Sequence, residues 1–196
     1  MEAPQPADTA EDAPALLKRD WQRRPIVLVG IMGSGKTTVG RRLAAQLRWP
    51  FVDADTEIEA AASMPISEIF ARFGEPHFRD GERRVIARLM ESGPKVIATG
   101  GGAFVDPETR ALILDQGTAI WLDADIETLV ARVSKRSHRP LLVGKDPETV
   151  LRELMAIRQP AYAQAPIHIV SASGPHQITV DAIVQALKQR DPAAQP

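Results

Sequence analysis

Residues 30–37 read Gly-Ile-Met-Gly-Ser-Gly-Lys-Thr, and they indicate the architecture of the chain more directly than any other segment. They match the phosphate-loop pattern, in which a glycine is followed by four residues, Gly-Lys and then Ser or Thr. The glycines let successive backbone N–H groups turn inward on an anion, because no Cβ blocks its close approach. Lys36 supplies a cation for the β- and γ-phosphates, and the Thr37 hydroxyl is a ligand for Mg²⁺. The motif predicts a site for ATP or GTP.

The sequence on either side of the loop fits this interpretation. The apolar run 25–30 is typical of a strand buried on both faces. Val39, Leu43 and Leu47 then recur at intervals of four residues, which predicts a helix with one apolar stripe and its positive dipole end at the loop. The alternative is a glycine-rich turn with a solvated lysine, which requires neither the buried strand before it nor the amphipathic helix after it. The expected nucleotide contacts are Gly33, Ser34, Gly35, Lys36, Thr37 and Thr38.

Short β-branched runs alternate with longer amphipathic stretches through the rest of the chain. Strands are predicted at 25–30, 51–53, 95–99, 118–122 and 167–171, and further helices at 56–62, 67–73, 76–92, 107–115, 125–133, 147–159 and 176–189. Strands separated by helices imply right-handed crossovers and a parallel sheet with helices on both faces. The sequence therefore predicts an α/β fold with five parallel strands.

Two segments depart from this alternation. Residues 53–92 hold successive helices without an intervening strand, and Gly74 is expected to end one of them. Such an insertion cannot join the sheet, so we expect it to form a helical substrate-binding unit over the carboxyl ends of the strands. Residues 134–146 lack a clear period and carry several cationic side chains, which favours a mobile lid.

Composition limits the kinds of protein that this sequence can encode. The chain has 196 residues, which suits one domain, and its 24 Lys and Arg nearly cancel its 25 Asp and Glu. A protein that binds the phosphate backbone of nucleic acid usually carries a basic excess, so we expect no nucleic-acid partner. No apolar stretch is long enough to span a bilayer, so we expect no membrane association. The absence of cysteine excludes disulfides and thiolate metal sites.

Both ends of the chain have the composition of solvated tails. Residues 1–21 are rich in Pro, Ala and acidic side chains and lack the pattern of a secretory leader or a transit peptide. Residues 191–196 are of the same kind. We therefore expect one folded domain over 22–190, a cytoplasmic location and, without a heptad pattern, a monomer.

Carboxylates and glycines follow two of the predicted strands. Asp53 and Asp55 close the second strand, and alternate side chains of an extended segment share a face, so both carboxylates can point toward one cleft. One could hold Mg²⁺ through water while the other receives a hydroxyl proton. Asp55 could instead cap a helix that begins at Thr56. Residues 100–102 are all glycine, which lets backbone amides approach a small polar ligand at the end of the third strand.

Together, six motifs resemble the shikimate kinase family and its nucleoside-monophosphate-kinase-like form of the P-loop NTPase fold. The motifs are Gly-Ile-Met-Gly-Ser-Gly-Lys-Thr-Thr-Val-Gly at 30–40, Asp53-x-Asp55, Phe78-Arg79, Gly100-Gly101-Gly102, Arg139-Pro140-Leu141-Leu142 and Arg158-x-Pro160-x-Tyr162. They occur in order from residue 30 to about residue 170. The phosphate loop is shared with many families, whereas the other motifs in combination are specific.

The resemblance implies that Arg79 and Arg158 bind the carboxylate of shikimate, with Glu82 orienting Arg79. A planar guanidinium suits a carboxylate because parallel N–H bonds meet its two oxygens. Without the resemblance, Arg79 would be a surface ion pair with Glu75 and Glu82, and Arg158 would complement a helix dipole.

The resemblance also assigns the remaining roles. Asp55 holds the substrate hydroxyls, Gly101 donates its backbone amide, and Asp53 lies near Mg²⁺. Arg139 folds over the ATP phosphates, like an arginine finger supplied by the same chain, and Arg132 stacks on adenine. The implied catalytic groups are then Lys36, Asp55 and Arg139, with Thr37 and Asp53 as the metal ligands. The implied reaction transfers the γ-phosphoryl group of ATP to the 3-hydroxyl of shikimate, with Mg²⁺ as cofactor.

Two alternatives remain open. The first is a kinase of gluconate or of a nucleotide with the same fold. The second is a nucleotide-dependent switch without catalytic activity, which has no dedicated acceptor pocket and gives Asp55, Arg79 and Arg158 no reason to converge. The histidines lack the spacing of metal ligands, so we expect no structural metal.

Overall fold

A parallel sheet forms the centre of the molecule. The computed structural model describes residues 20–134, 146–171 and 174–190. Its strands are β1 (Ile26–Val29), β2 (Phe51–Asp53), β3 (Val96–Ala98), β4 (Thr118–Asp123) and β5 (Ile167–Val170). They are arranged in the order β2-β3-β1-β4-β5, and every neighbouring pair is parallel. The predicted five-stranded parallel sheet is confirmed.

Helices cover both faces of this sheet. They are α1 (Lys36–Leu47), α2 (Ala54–Ala62), α3 (Ile66–Glu91), α4 (Pro107–Gln116), α5 (Ile126–Ser134), α6 (Pro147–Tyr162) and α7 (His176–Gln189). Several begin with a side-chain cap: Asp106 accepts the N–H of Thr109 at α4, and Asp146 accepts the N–H of Thr149 at α6. Proline follows each of these caps at the first helical position, where its missing N–H costs nothing.

The central strand β1 divides the core into two layers, because its side chains alternate between the faces of the sheet. Ile26 and Leu28 pack with α1 and α7, whereas Val27 and Val29 pack with α3, α4 and α5. All four side chains are fully buried. A strand covered on both faces must be apolar throughout, which is why the run before the phosphate loop contains no polar residue.

The topology brings several chain segments to one edge of the sheet. After β1 the chain leaves to the outer strand β2, returns to β3 beside β1, and then crosses to β4 on the other side. Ligands of open α/β folds bind beyond the carboxyl ends of the strands at such a reversal. The segments that follow β1, β2 and β3 therefore share one crevice.

The helical insertion after β2 is confirmed, with two corrections. Helix α2 begins at Ala54, not at Thr56, because Asp53 caps it by accepting the N–H of Asp55. Asp55 consequently lies inside the first helical turn and is neither the cap nor part of an extended segment. The two helices predicted on either side of Gly74 are confirmed: α3 is interrupted at Gly74, whose backbone is not helical (φ 79°, ψ 174°).

Helix α6 is longer than predicted. It continues past Pro160 and ends at Tyr162. The ring of Pro160 removes one backbone donor, but the N–H of Ala163 still bonds to the carbonyl of Gln159 at 2.9 Å and closes the last turn. This extension places Arg158 and Tyr162 on the same side of one helix, because residues four apart are neighbours on a helical surface.

Some predictions fall on residues outside the described ranges. These are residues 135–145 of the predicted lid at 134–146, including Arg139, residues 1–19 of the first tail and all of the second. Within the described ranges, no helix has the length and apolarity needed to cross a membrane.

Two helical glycines provide a test of the packing. At Gly81 in α3, an added Cβ would have no neighbour within 4 Å, so Gly81→Ala should stabilise the fold by about 0.5–1 kcal/mol through helix propensity. At Gly40 in α1, a Cβ would lie 2.6 Å from the ring of Phe51, so Gly40→Ala should destabilise it by about 1–3 kcal/mol. Urea unfolding of both variants measures the difference. Equal midpoints would contradict the packing described here.

Candidate active site

The phosphate loop connects β1 to α1. Gly33 and Gly35 have φ of 84° and 98°, a region that residues with a Cβ rarely adopt. The side chain of Lys36 folds over this loop, and its Nζ donates to the carbonyls of Gly30 at 2.7 Å and Ile31 at 2.9 Å. The Lys36 cation thus lies over the loop at the N-terminus of α1, an arrangement that suits a phosphate group.

Two oxygen ligands lie at the edge of this loop. The Thr37 hydroxyl donates to Oδ2 of Asp53 at 2.9 Å. Mg²⁺ prefers oxygen ligands and usually takes one or two from the protein, completing its shell with phosphate oxygens and water. In the described segments no group of three or more His, Asp or Glu could hold a metal alone. The Thr37–Asp53 pair fits a metal ion that is shared with a nucleotide.

Arg132 connects the loop to the far side of the sheet. It lies in the last turn of α5 and points its Nη1 toward the carbonyls of Gly33 (3.3 Å) and Ser34 (3.4 Å). The same group reaches the hydroxyl of Ser171, just after β5, at 3.4 Å. Ser34 is fully buried, and Thr38 lies in the first turn of α1. Arg132 therefore borders the loop on the side where β5 ends.

Asp55 lies on the opposite side of the loop. Burial raises the pKa of this carboxyl, the charge of Asp53 raises it further, and the Lys36 ammonium works in the other direction. A carboxylate with a raised pKa is a better proton acceptor than an ordinary aspartate. Asp55 thus combines proximity to the phosphate loop with basicity.

The glycines at 100–102 bring three charged side chains together. A Cβ at Gly100 would lie 2.8 Å from Oδ1 of Asp55, and one at Gly101 would lie 3.1 Å from Nη1 of Arg158. A Cβ at Gly102 would lie 2.6 Å from Nη1 of Arg79. The charged groups come from α2, α6 and α3, so segments far apart in the sequence meet at this short loop.

Gly101 also lies against the phosphate loop. A Cβ added at Gly101 would lie 3.6 Å from the carbonyl oxygen of Gly30 and 3.6 Å from the amide nitrogen of Met32. The cluster formed by Asp55, Arg79, Arg158 and residues 100–102 is called the acceptor cluster below. It adjoins the phosphate loop, and it contains two guanidinium groups and one carboxylate.

Buried and exposed carboxylates hold Arg79 in place. Its Nη1 bonds to Oε2 of Glu82 at 2.7 Å, and its Nη2 bonds to Oε1 of Glu75 at 3.0 Å. Glu82 is only 1% exposed, and burial raises its pKa while the Arg79 hydrogen bond opposes that rise. The guanidinium carbon lies 5.2 Å from the ring centre of Phe78. Arg79 therefore lies in a partly buried ion-pair network, whereas its sequence neighbours alone would suggest an exposed ion pair.

Tyr162 is the site residue whose role the sequence did not indicate. It is fully buried, and its hydroxyl donates to the carbonyl of Gly101. The spacing of four residues from Arg158 within one helix was the available signal. Its partner Gly101 lies 61 residues earlier in the chain, so no local pattern could reveal the contact.

The fold and this site define a class of protein. A phosphate loop follows the central strand, with the Lys36 cation on it, the Thr37–Asp53 oxygen pair at its edge and the acceptor cluster beside it. These are the parts of a P-loop phosphotransferase for small molecules. A regulatory switch has no need of the acceptor cluster.

Known proteins agree with this class and narrow it. The family model for shikimate kinase matches residues 32–188. The shikimate kinase of Novosphingobium aromaticivorans is 61% identical over 170 residues, which cover 85% of this chain and 88% of that protein. That of Caulobacter vibrioides is 59% identical over 166 residues, covering 85% and 83%. The chain belongs to the shikimate kinase family.

Solved structures lead to the same family. The shikimate kinase from Acinetobacter baumannii, in complex with shikimate, superimposes with a TM-score of 0.81 at 36% identity and covers 86% of this chain and 95% of that one. A gluconokinase from Sinorhizobium meliloti reaches a TM-score of 0.58 at 17% identity, a likeness that concerns the fold alone. The predicted fold class and family resemblance are confirmed.

Proposed function

We propose that this protein transfers the γ-phosphoryl group of ATP to the 3-hydroxyl of shikimate, giving shikimate 3-phosphate and ADP for aromatic amino acid biosynthesis. The observation that supports it most is the acceptor cluster beside the phosphate loop. A ligand that fits this cluster carries a carboxylate for the two guanidinium groups and hydroxyls for Asp55. Shikimate has both.

The acceptor half of the site orients the substrate. Arg79 and Arg158 bind the carboxylate, and the Gly101 amide and Asp55 bind the ring hydroxyls. Glu82 holds Arg79 in position, which reduces the side-chain entropy lost when substrate binds. Fixing the acceptor beside the phosphate loop makes the reaction effectively intramolecular, and this accounts for much of the rate.

The nucleotide half of the site binds the triphosphate. Residues Gly33, Ser34, Gly35 and Thr38 surround the phosphates, and Lys36 neutralises the charge that develops on the transferred group. Thr37 and Asp53 would hold Mg²⁺, which would neutralise part of the negative charge of the phosphates. Arg132 contacts the nucleotide near adenine.

Phosphoryl transfer to the substrate hydroxyl requires one group that accepts the hydroxyl proton. The 3-oxygen attacks the γ-phosphorus in line, the bond from phosphorus to the β,γ-bridging oxygen breaks, and the hydroxyl proton passes toward Asp55. Arg139, in the lid segment, supplies a further positive charge to the phosphates. Closure of the lid over the site excludes water, which would otherwise compete as the acceptor.

We expect the enzyme to act as a monomer in the cytoplasm. One chain supplies every residue of the proposed site, and ATP is a cytoplasmic substrate. No nucleic acid or membrane is needed for the reaction.

A coupled assay of ADP release tests the proposed function. With ATP and Mg²⁺, turnover should be rapid with shikimate and near background with gluconate or nucleoside monophosphates. Gluconate is the informative comparison because it also carries a carboxylate and hydroxyls, and a gluconokinase shares the fold. Faster turnover with gluconate than with shikimate would overturn the proposal.

Arg79→Ala should weaken acceptor binding selectively. Loss of a charge-assisted bond predicts a rise in the shikimate KM of about 10- to 100-fold, with the ATP KM changed by less than about twofold. Steady-state kinetics with each substrate varied in turn measure the split. Arg83→Ala is the matched control, because Arg83 lies one turn further along α3 and pairs with Glu108. A larger rise in the ATP KM would remove Arg79 from the acceptor site.

The acid side of the pH profile should reflect Asp55. Asp55 must be ionised to accept the proton, and burial raises its pKa above the ordinary value of 3.8, so kcat should fall as the pH drops through that raised pKa. Asp55→Asn should lower kcat by about 100-fold or more and remove this limb. Asp80→Asn, a change at a half-exposed aspartate of α3 that pairs with Arg84, is the control. A kcat that stays constant down to pH 4 would contradict the role of Asp55.

A further inference from the structure

Tyr162 occupies a position between two parts of the acceptor cluster. It is the last residue of α6, it is fully buried, and its hydroxyl donates to the carbonyl of Gly101. Burial raises the pKa of the phenol, and the charge of the Arg158 guanidinium opposes that rise. The phenol therefore remains a donor to Gly101, which itself lies against Arg158.

The ring of Tyr162 is supported from the sheet. Trp121 of β4 packs beside it with ring centres 6.0 Å apart. Trp121 is itself 4% exposed and stacks on His168 of β5, with ring centres 4.0 Å apart and an interplanar angle of 9°. Because two neighbouring strands fix these rings, the hydroxyl has a defined position relative to the sheet and does not depend on α6 alone.

The bond to Gly101 also orients a peptide group. A peptide unit is planar, so fixing the carbonyl of Gly101 fixes the direction of the Gly102 N–H on the other side of the same unit. Arg79 lies against Gly102, and Arg158 lies against Gly101. One phenol thus restrains the backbone that both arginines contact.

We propose that Tyr162 is a positioning residue for the phosphoryl acceptor: its hydroxyl holds the Gly101 peptide, against which the Arg158 guanidinium lies, in the arrangement that binds the substrate carboxylate. This role rests on the proposed function. It acts through Arg158 and Gly101, and the hydroxyl does not touch the reacting atoms. A site held in this way is organised before the substrate arrives, so less conformational entropy is lost on binding.

Tyr162→Phe removes the hydroxyl and keeps the ring. The Gly101 carbonyl then loses its donor, and the peptide against which Arg158 lies is no longer restrained. We expect the shikimate KM to rise about tenfold, with kcat lowered by less than about threefold and the ATP KM within about twofold of wild type. A residue that served stability alone would lower the melting temperature and the active fraction, and would leave both KM values unchanged. That second pattern would overturn the proposal.

Trp121→Phe is the matched control. It reduces the packing area behind Tyr162 but keeps an aromatic ring there, so the Tyr162 hydroxyl keeps its support and its position. We expect a lower melting temperature with a shikimate KM close to wild type. A KM rise equal to that of Tyr162→Phe would show that ring packing, not the hydroxyl, sets the acceptor site.

A double-mutant cycle tests whether Tyr162 acts through Arg158. When Arg158→Ala is already present, Tyr162→Phe should add less than about a threefold further rise in the shikimate KM, because the partner is gone. If the rise in the shikimate KM of the double variant equals the product of the two single rises, the residues act independently and the coupling is overturned.

The chain contains one tyrosine, so the site can also be observed directly. Enzyme labelled with 3-fluorotyrosine should give one protein ¹⁹F resonance that shifts on adding shikimate without nucleotide. The shift should be lost in Arg158→Ala at a shikimate concentration that saturates the wild type. No shift in a wild-type enzyme that phosphorylates shikimate would overturn the role of Tyr162 alone, whereas a wild type inactive with shikimate would overturn the proposed function.

Discussion

The close approach of three charged side chains to the glycines at 100–102 is the constraint on which the site depends. Any Cβ at Gly100, Gly101 or Gly102 would lie within 3.1 Å of Asp55, Arg158 or Arg79, respectively. A methyl group there would displace a charged group from the cluster. The packing of the acceptor cluster therefore requires glycine at these three positions. Because the loop has no Cβ atoms, it can contact charged side chains from three different helices.

The topology of the sheet brings the residues of the site together. β1, β2 and β3 end at the same edge, and each is followed at once by residues of the site. The buried partner Glu82 balances Arg79, while Lys36 and Asp53 act on the pKa of Asp55 in opposite directions. Opposite charges in a partly buried cluster favour a defined arrangement, because leaving any one of them unpaired would be costly.

Local signals were sufficient for most of the fold. The phosphate loop, the five strands and the amphipathic helices follow from residue type and period, which act over a few neighbours. The start of α2 was missed because Asp53 both ends β2 and caps the helix, so the change from strand to helix occurs within one residue. The alternating pattern of a strand could not show that Asp55 already lies in the first turn of α2.

The acceptor cluster was accessible from the sequence only in part. The pairing of Arg79 with Glu82 follows from their spacing on a helix. The contacts of Arg158 and Tyr162 with Gly101 are set by how α6 packs against the loop after β3, and no local pattern carries that information. The resemblance to a family indicated Arg158, whereas the link from Tyr162 to Gly101 is a property of the folded chain alone.

The most direct measurement is a crystal structure of the enzyme with shikimate and a non-hydrolysable ATP analogue bound together. The carboxylate should lie between the guanidinium groups of Arg79 and Arg158, with the 3-hydroxyl within hydrogen-bond distance of Asp55 and directed at the terminal phosphate. A closed complex in which these three side chains point away from the bound acid would contradict the proposed function.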